Sequence, residues 1–192
     1  MGSDTPLFPL NTVLFPGGPL ALRIFEPRYV DMVGRCMREQ QAFGVVLIRE
    51  GAETGPAEFH DIGTLARITD FHTLPEGLLG LVTVGETRFR VLDRRRLDDG
   101  LNVGTVETLP AEPLHPLPAD FAHLAKVLDT LLPQLGPAYA QLEHRLDDAT
   151  WVGYRLAEIL PLTPQSRQHC LELSDPLERL RLLGGLIERP SD

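Results

Sequence analysis

The sequence predicts an α+β protein in which a strand-rich N-terminal part precedes a helical C-terminal part. Three observations carry this. Short runs rich in β-branched, aromatic and leucine residues, separated by turn residues, fill the first ~110 positions. A proline-rich stretch follows, "PAEPLHPLPAD", with four prolines from Pro110 to Asp120. Beyond it the apolar residues recur at helical spacing. The expected domains are 1–112, a β-barrel or sandwich with one inserted helix, and 113–192, an α-helical bundle.

The chain opens, after a few residues, on "LFPLNTVLFPGGPLALRIFEPRY" (Leu7–Tyr29), in which Leu-Phe-Pro occurs twice at a spacing of seven. Two short copies do not make a solenoid. Pro9 and Pro16 lack an N–H, so they suit strand ends or edges. Gly17-Gly18-Pro19 reads as a turn. The segment is therefore expected as strand, turn, strand, then helix.

That helix takes Pro27 in its first turn and runs until Gly44 or the residue before it. Val30, Val33 and Met37 fall at helical spacing, with Tyr29, Met32 and Cys36 beside them, and Cys36 reads as a small core residue. Glu26 and Arg28 are expected to fix the strand-to-helix junction. The expected strands are Leu20–Ile24, Phe43–Ile48, Thr64–Phe71, Leu78–Val84, Thr87–Leu97 and Leu101–Leu109. In "TRFRVLDR" alternation sends Phe89 and Val91 one way, Arg88 and Arg90 the other. "LPEGLLG" and "LDDGLN" are hairpin turns with Gly77 and Gly100 able to take positive φ.

After the prolines, Phe121, Leu124, Leu128, Leu131 and Leu135 form one helical face. Trp151, Val152, Leu156, Ile159 and Leu160 form the next. Thr163-Pro164 reads as N-cap and first helical residue. Asp175, Pro176 and Glu178 begin a last helix with Leu177, Leu180, Leu183 and Ile187 on its apolar face.

Composition bounds the function. The 192 residues include 43% hydrophobic and 23% charged residues, and two cysteines, Cys36 and Cys170. These are values of a globular, reduced, cytoplasmic chain without a disulfide framework. No apolar run approaches ~20 residues, and the N-terminus carries no secretory pattern. The net charge is −9, divided as −5 up to Leu117 and −4 after it. Neither part has the basic field that nucleic-acid binding requires. The run Arg94–Arg96 is bracketed by Asp93, Asp98 and Asp99 and reads as a solvated strand end.

No catalytic motif emerges. A P-loop, a dinucleotide fingerprint, a G-x-S-x-G elbow, an H-E-x-x-H and a C-x-x-C are all missing. The six histidines are dispersed; His60-Asp61 has no third metal ligand, and His169 and Cys170 point apart on a helix. "EHRLDD" (Glu143–Asp148) reads as a polar helix end with acids near the next N-terminus. No catalytic residue, metal ligand or cofactor is assigned.

"LFPLNTVLFPGGPLALRIFEPRYVDMV" resembles the opening of the Lon protease N-terminal, or substrate-binding, domain family. "GTLARI", "LPEGLLGLVTVGETRFRV", "WVGYRLAEILPLTPQSRQHCLEL" and "DPLERLRLL" are similar to later parts of that family in the same order. The resemblance covers roughly Leu7 to Glu188. It implies a PUA-like β-domain followed by a helical bundle, and a part in recognising substrate proteins. The ATPase and Ser-Lys protease that follow in Lon are absent before Asp192, so a stand-alone bacterial substrate-binding-domain protein is expected, with no proteolysis to carry over. The expected function is non-enzymatic binding of unfolded or extended polypeptide, or of a protein partner, as an adaptor or chaperone-like factor. The alternatives are an RNA-binding module, which the PUA-like fold alone suggests, and an enzyme with an unrecognised site. The candidate binding surface is the turn holding Leu74, Pro75, Leu78 and Leu79, because apolar residues at a hairpin tip are hard to bury. Oligomeric state is not legible in the sequence.

Overall fold

The structure is a computed structural model that describes residues 4–187. It is mixed α/β and divides into two compact units, the first ending at Pro110 and the second beginning at Ala111.

Among its described residues the first unit holds seven strands and one α-helix: β1 (Thr5–Leu10), β2 (Pro19–Ile24), α1 (Pro27–Glu39), β3 (Phe43–Gly51), β4 (Ala57–Phe59), β5 (Ile62–Thr73), β6 (Leu79–Arg96) and β7 (Asn102–Thr108). Hydrogen-bonded order runs β1-β7-β6-β5-β3, and β1 also pairs with β3, so five strands close into a ring. The β1–β3 contact is parallel; the other pairings are antiparallel. β4 extends the sheet beyond β3, and β2 pairs with β6 outside the ring. The runs expected as two strands, Leu78–Val84 and Thr87–Leu97, are one strand, β6, because Gly85 and Glu86 continue it without a break. The three-residue β4 is too short to show in the sequence pattern.

Ring closure explains "LFPL". Leu7 pairs with both Gly44 of β3 and Asn102 of β7. Pro6 pairs only with β7, and Pro9 only with β3. Each proline thus sits where the strand has one neighbour, so its missing N–H costs no ladder bond. β1 is buried from Pro6 to Leu10. Its residues alternate between two apolar clusters: Leu7 packs with Val46, Phe89 and Val91, while Phe8 and Leu10 pack with Tyr29, Met32 and Phe43. A strand buried on both faces reads as a continuous apolar run.

Helix α1 closes one side. Phe8 stacks on Tyr29 with ring centroids 3.9 Å apart. The buried face is Tyr29, Met32, Val33 and Cys36; Val30 and Met37, expected on the buried stripe, are exposed. Two overlapping stripes cannot both face the core, and the Tyr29 stripe carries the larger side chains. The helix ends at Glu39, earlier than expected, with Gln40 in the left-handed region as its cap. Gly44 lies within β3 instead. Arg28 binds Glu26 at 2.8 Å and the carbonyl of Gly100 at 2.7 Å, fastening the helix start to the β6–β7 turn. Arg88, on the face of β6 opposite Phe89, is nevertheless 4% exposed. It lies between Thr64 of β5 and Leu109, whose N–H donates to its carbonyl, so neighbouring backbone flanks it on both sides.

Phe89 occupies the space inside the ring, and glycines make that space. A Cβ at Gly44 would fall 2.6 Å from the Phe89 ring and 2.8 Å from Leu7. A Cβ at Gly63 would fall 2.2 Å from the carbonyl oxygen of Val45.

The second unit contains α2 (Ala122–Leu131), α3 (Pro137–Ala140), α4 (Ala149–Ile159), α5 (Pro164–Glu172) and α6 (Pro176–Ile187). Local signals place their starts. Asp148 caps Thr150, Thr163 caps Ser166, and Asp175 accepts from Leu177 at 2.8 Å. Pro133 ends α2, so Leu132 takes the buried place and Leu135 is exposed, against the expected face. Residues 112–117 are fastened to these helices. Glu112 forms a bidentate pair with fully buried Arg179, at 2.6 and 2.9 Å, and accepts from the Tyr154 hydroxyl at 2.5 Å. Arg179 lies over the Tyr154 ring and donates to the carbonyls of Cys170 and Leu173. On α4, Glu158 meets buried Arg155 at 3.2 Å; burial nevertheless pushes its carboxyl up to about 7, against the lowering pull of Arg155.

Two stability predictions follow from these packing arrangements. Gly63→Ala is expected to cost about 1–3 kcal/mol or more in urea unfolding, because backbone must move to admit the methyl. Glu158 holds its proton more tightly folded than unfolded. Its stabilising contribution is therefore full below about pH 4.5 and lost as pH rises to about 7. Wild-type stability minus that of Glu158→Gln should fall across this window, by up to about 3 kcal/mol; a flat difference contradicts it.

Candidate functional site

The site is built on the arm formed by β5 and β6. Along Thr64–Ala66, β5 has two neighbours, because Phe43–Val45 of β3 pair with these residues. From Arg67 to Thr73 it has β6 on one side and, among the described residues, no strand on the other. Among the described residues the outer arm is three strands wide, β5-β6-β2, with an open edge on β5 and another on β2. Open edges offer main-chain groups to an added strand.

At the tip, Leu74 donates to the carbonyl of Leu78 at 2.7 Å, and Gly77 donates to the carbonyl of Leu74. Gly77 has φ 76°, which only glycine adopts readily. The four expected surface residues come together here. Leu74 and Leu78 are half-buried and Pro75 is exposed. Leu79 is half-buried as well, but it packs against the cluster around Leu81.

The Leu74–Leu78 bond also sets the polarity of the edge. Antiparallel residues alternate in direction, so Phe71 and Thr73 turn their main-chain groups away from β6. The N–H of Phe71 is met by the Asp70 carboxylate at 2.8 Å. A groove of about 350 Å³ runs between this stretch and the last turn of α1, lined by Cys36, Met37 and Gln40 on one side and Ile68 and Phe71 on the other. Phe71 is 54% exposed and Met37 38%. Arg67, at the inner end, turns to Glu86 at 2.7 Å. Burial raises the Cys36 thiol, so it stays protonated and apolar at the groove floor.

The groove, unlike the turn at Leu74–Leu79, joins residues far apart in the sequence. The available signal was α1 itself, which carries more apolar residues than one buried face uses. The second open edge borders a groove of about 320 Å³ containing Leu20, Leu22, Phe25 and the carboxylates of Glu26 and Glu53. The basic run is internally engaged: Arg94 binds Glu58 at 2.6 Å, Arg95 binds Asp4, and Arg96 donates to the carbonyl of Gly100. Among the described residues no group of three or more His, Cys, Asp or Glu side chains is placed to hold a metal. No helix of the described chain is long and apolar enough to cross a membrane.

Comparisons with known proteins agree on one relationship. The family model described as the ATP-dependent protease La (LON) substrate-binding domain matches residues 4–189. Lon protease 2 of Myxococcus xanthus is 28% identical over 195 residues, covering 96% of this chain and 23% of that protein. The Lon protease of Haemophilus influenzae is 25% identical over 197 residues, or 24% of its length. The chain thus spans about a quarter of the curated relatives it matches. A Lon N-terminal domain protein from Xanthomonas campestris, solved by crystallography, is 39% identical and superimposes with a TM-score of 0.79, over 98% of this chain and 99% of that one. The N-terminal domain of the Mycobacterium avium complex Lon protease shares the fold at 16% identity, with a TM-score of 0.65.

The different packing of the arm's apolar residues is testable. Leu79→Ala should lower stability by about 1–3 kcal/mol, since it removes contacts with the core. Phe71→Ser should stay within about 0.5 kcal/mol, as for surface changes generally. Urea titrations of both variants decide, and a larger loss for Phe71→Ser would show that the exposed ring is structural.

Proposed function

This chain belongs to the substrate-binding domain family of the ATP-dependent protease La (LON), and from that premise we propose that it is a non-enzymatic module that binds unfolded or extended polypeptide. The observation that carries the reading is a family match running through both units, residues 4–189. An adaptor or chaperone-like role in the cytoplasm fits it. So does an architecture of a PUA-like β-domain followed by a helical bundle. The arm supplies the physical means: an open strand edge for main-chain bonds, with apolar side chains beside it. Its tip, Leu74, Pro75, Leu78 and Leu79, is the proposed contact surface, with Leu79 serving mainly to hold the tip against the core.

RNA binding is disfavoured by charge. The net charge is −9, and each arginine of the basic run already has an acidic or carbonyl partner.

The test is fluorescence anisotropy with a labelled polypeptide held unfolded by reduction and carboxymethylation. Saturable binding is expected, weakened about tenfold or more by Leu74→Ser with Leu78→Ser, while thermal melting stays near wild type. A labelled single-stranded RNA should not bind at physiological salt. Binding of RNA with a steep salt dependence, and none of the unfolded chain, overturns the proposal.

A further inference from the structure

Resting on the polypeptide-binding reading, the geometry points to a defined mode and preference. We propose that residues 67–73 of β5 take up an extended segment as an added strand. One of its apolar side chains enters the groove beside α1, and lysine or arginine next to that side chain is favoured over aspartate or glutamate.

The occupant follows from what the edge presents. Beyond the register shift between Ile68 and Asp70, Phe71 and Thr73 face their N–H and C=O groups away from β6, at the two-residue repeat of a strand. Only an extended backbone meets such a row. Side chains of an added strand alternate in direction, so every second one faces the groove. Met37, Ile68 and Phe71 give the apolar part of its lining, beside the polar Gln40, Gln41 and Thr69. Part of the Phe71 and Met37 surface is exposed and would leave water on binding.

The charge preference follows from complementarity. Arg67 is neutralised by Glu86. Arg38, in the last turn of α1, has its guanidinium over Gly34, away from the groove. Arg35 and Glu39 both act on the Cys36 thiol, with opposite sign, and offset one another; what remains at the groove is the Asp70 carboxylate and the negative pole of α1, whose C-terminal end lies at Gln40. Asp70 now accepts the N–H of Phe71. A carbonyl from an incoming strand would take over that N–H. The released carboxylate then stands beside the new strand, where it attracts a cation and repels an anion. Asp70 thus covers the open edge when the site is empty and selects for charge when it is filled.

Two labelled, end-capped ten-residue peptides test this, one alternating leucine and threonine with two lysines, its twin with two glutamates. The lysine peptide should bind at least about tenfold more tightly at low salt, with the gap narrowing as salt rises. Asp70→Asn keeps an acceptor for the Phe71 N–H but should erase most of the gap. Thr73→Pro removes an N–H that β6 does not use and should weaken both peptides about tenfold or more, with Thr73→Val as the folded control. If the proline variant misfolds, Met37→Ser with Phe71→Ser tests the groove wall instead. Should wild type bind the unfolded polypeptide but neither peptide, or should both Asp70→Asn and the edge or wall variants bind like wild type, this inference fails and the wider reading stands. If wild type binds neither the peptides nor the unfolded polypeptide, both fall.

Discussion

The first unit is organised by the requirement that β1 be hydrogen-bonded on both sides. Parallel to β3 and antiparallel to β7, it turns an open ladder into a ring. Much else follows from closure. The strand is buried on both faces, so it must be apolar throughout. Its prolines are confined to positions with a single neighbour. The interior is narrow, so Phe89 fills it only because Gly44 and Gly63 present no side chain there. β2 is left outside the ring on the flank of β6, and the outer half of β5 extends past the end of β3. The open edges used in the proposed function are thus what remains after the ring has closed.

Arginine does much of the polar work in both units. Arg28, Arg88, Arg155 and Arg179 are all buried. Each guanidinium offers five donors in a fixed plane, so one side chain can satisfy several carbonyls and a carboxylate together. Arg179 does this for Glu112, Cys170 and Leu173, joining the residues just after Pro110 to the ends of α5 and α6. Removing either partner of such a pair leaves a buried charge and is far more damaging than losing a surface bridge.

Local chemistry was legible in the sequence and non-local geometry was not. Thr163-Pro164 and Asp175-Pro176 marked helix starts because capping involves neighbours within three residues. Gly77 and Gly100 marked turns because positive φ is a property of the residue itself. The Leu74–Leu79 tip was visible for the same reason. By contrast, the face of α1 was misread because two apolar stripes overlap and only the partner decides between them. The alternation that sets Arg88 and Phe89 on opposite faces of β6 says nothing of what covers the Arg88 face. The groove beside Met37 joins residues some thirty positions apart, and the open edge of β5 depends on the register that sets Phe43, the first residue of β3, opposite Ala66.

Ring closure also sets an order of events. Thr5 pairs with Gly104, and Leu7 with Asn102, so about 95 residues separate the partners. Bringing such ends together carries a logarithmic entropy cost of about 4 kcal/mol. At ~5–20 residues per second of synthesis, β1 spends roughly 5–20 s in existence before β7 has been made. During that interval an apolar segment meant for burial on both faces has at most one of its neighbours. A module proposed to hold unfolded chains therefore passes, at each birth, through a state that itself resembles its own ligand.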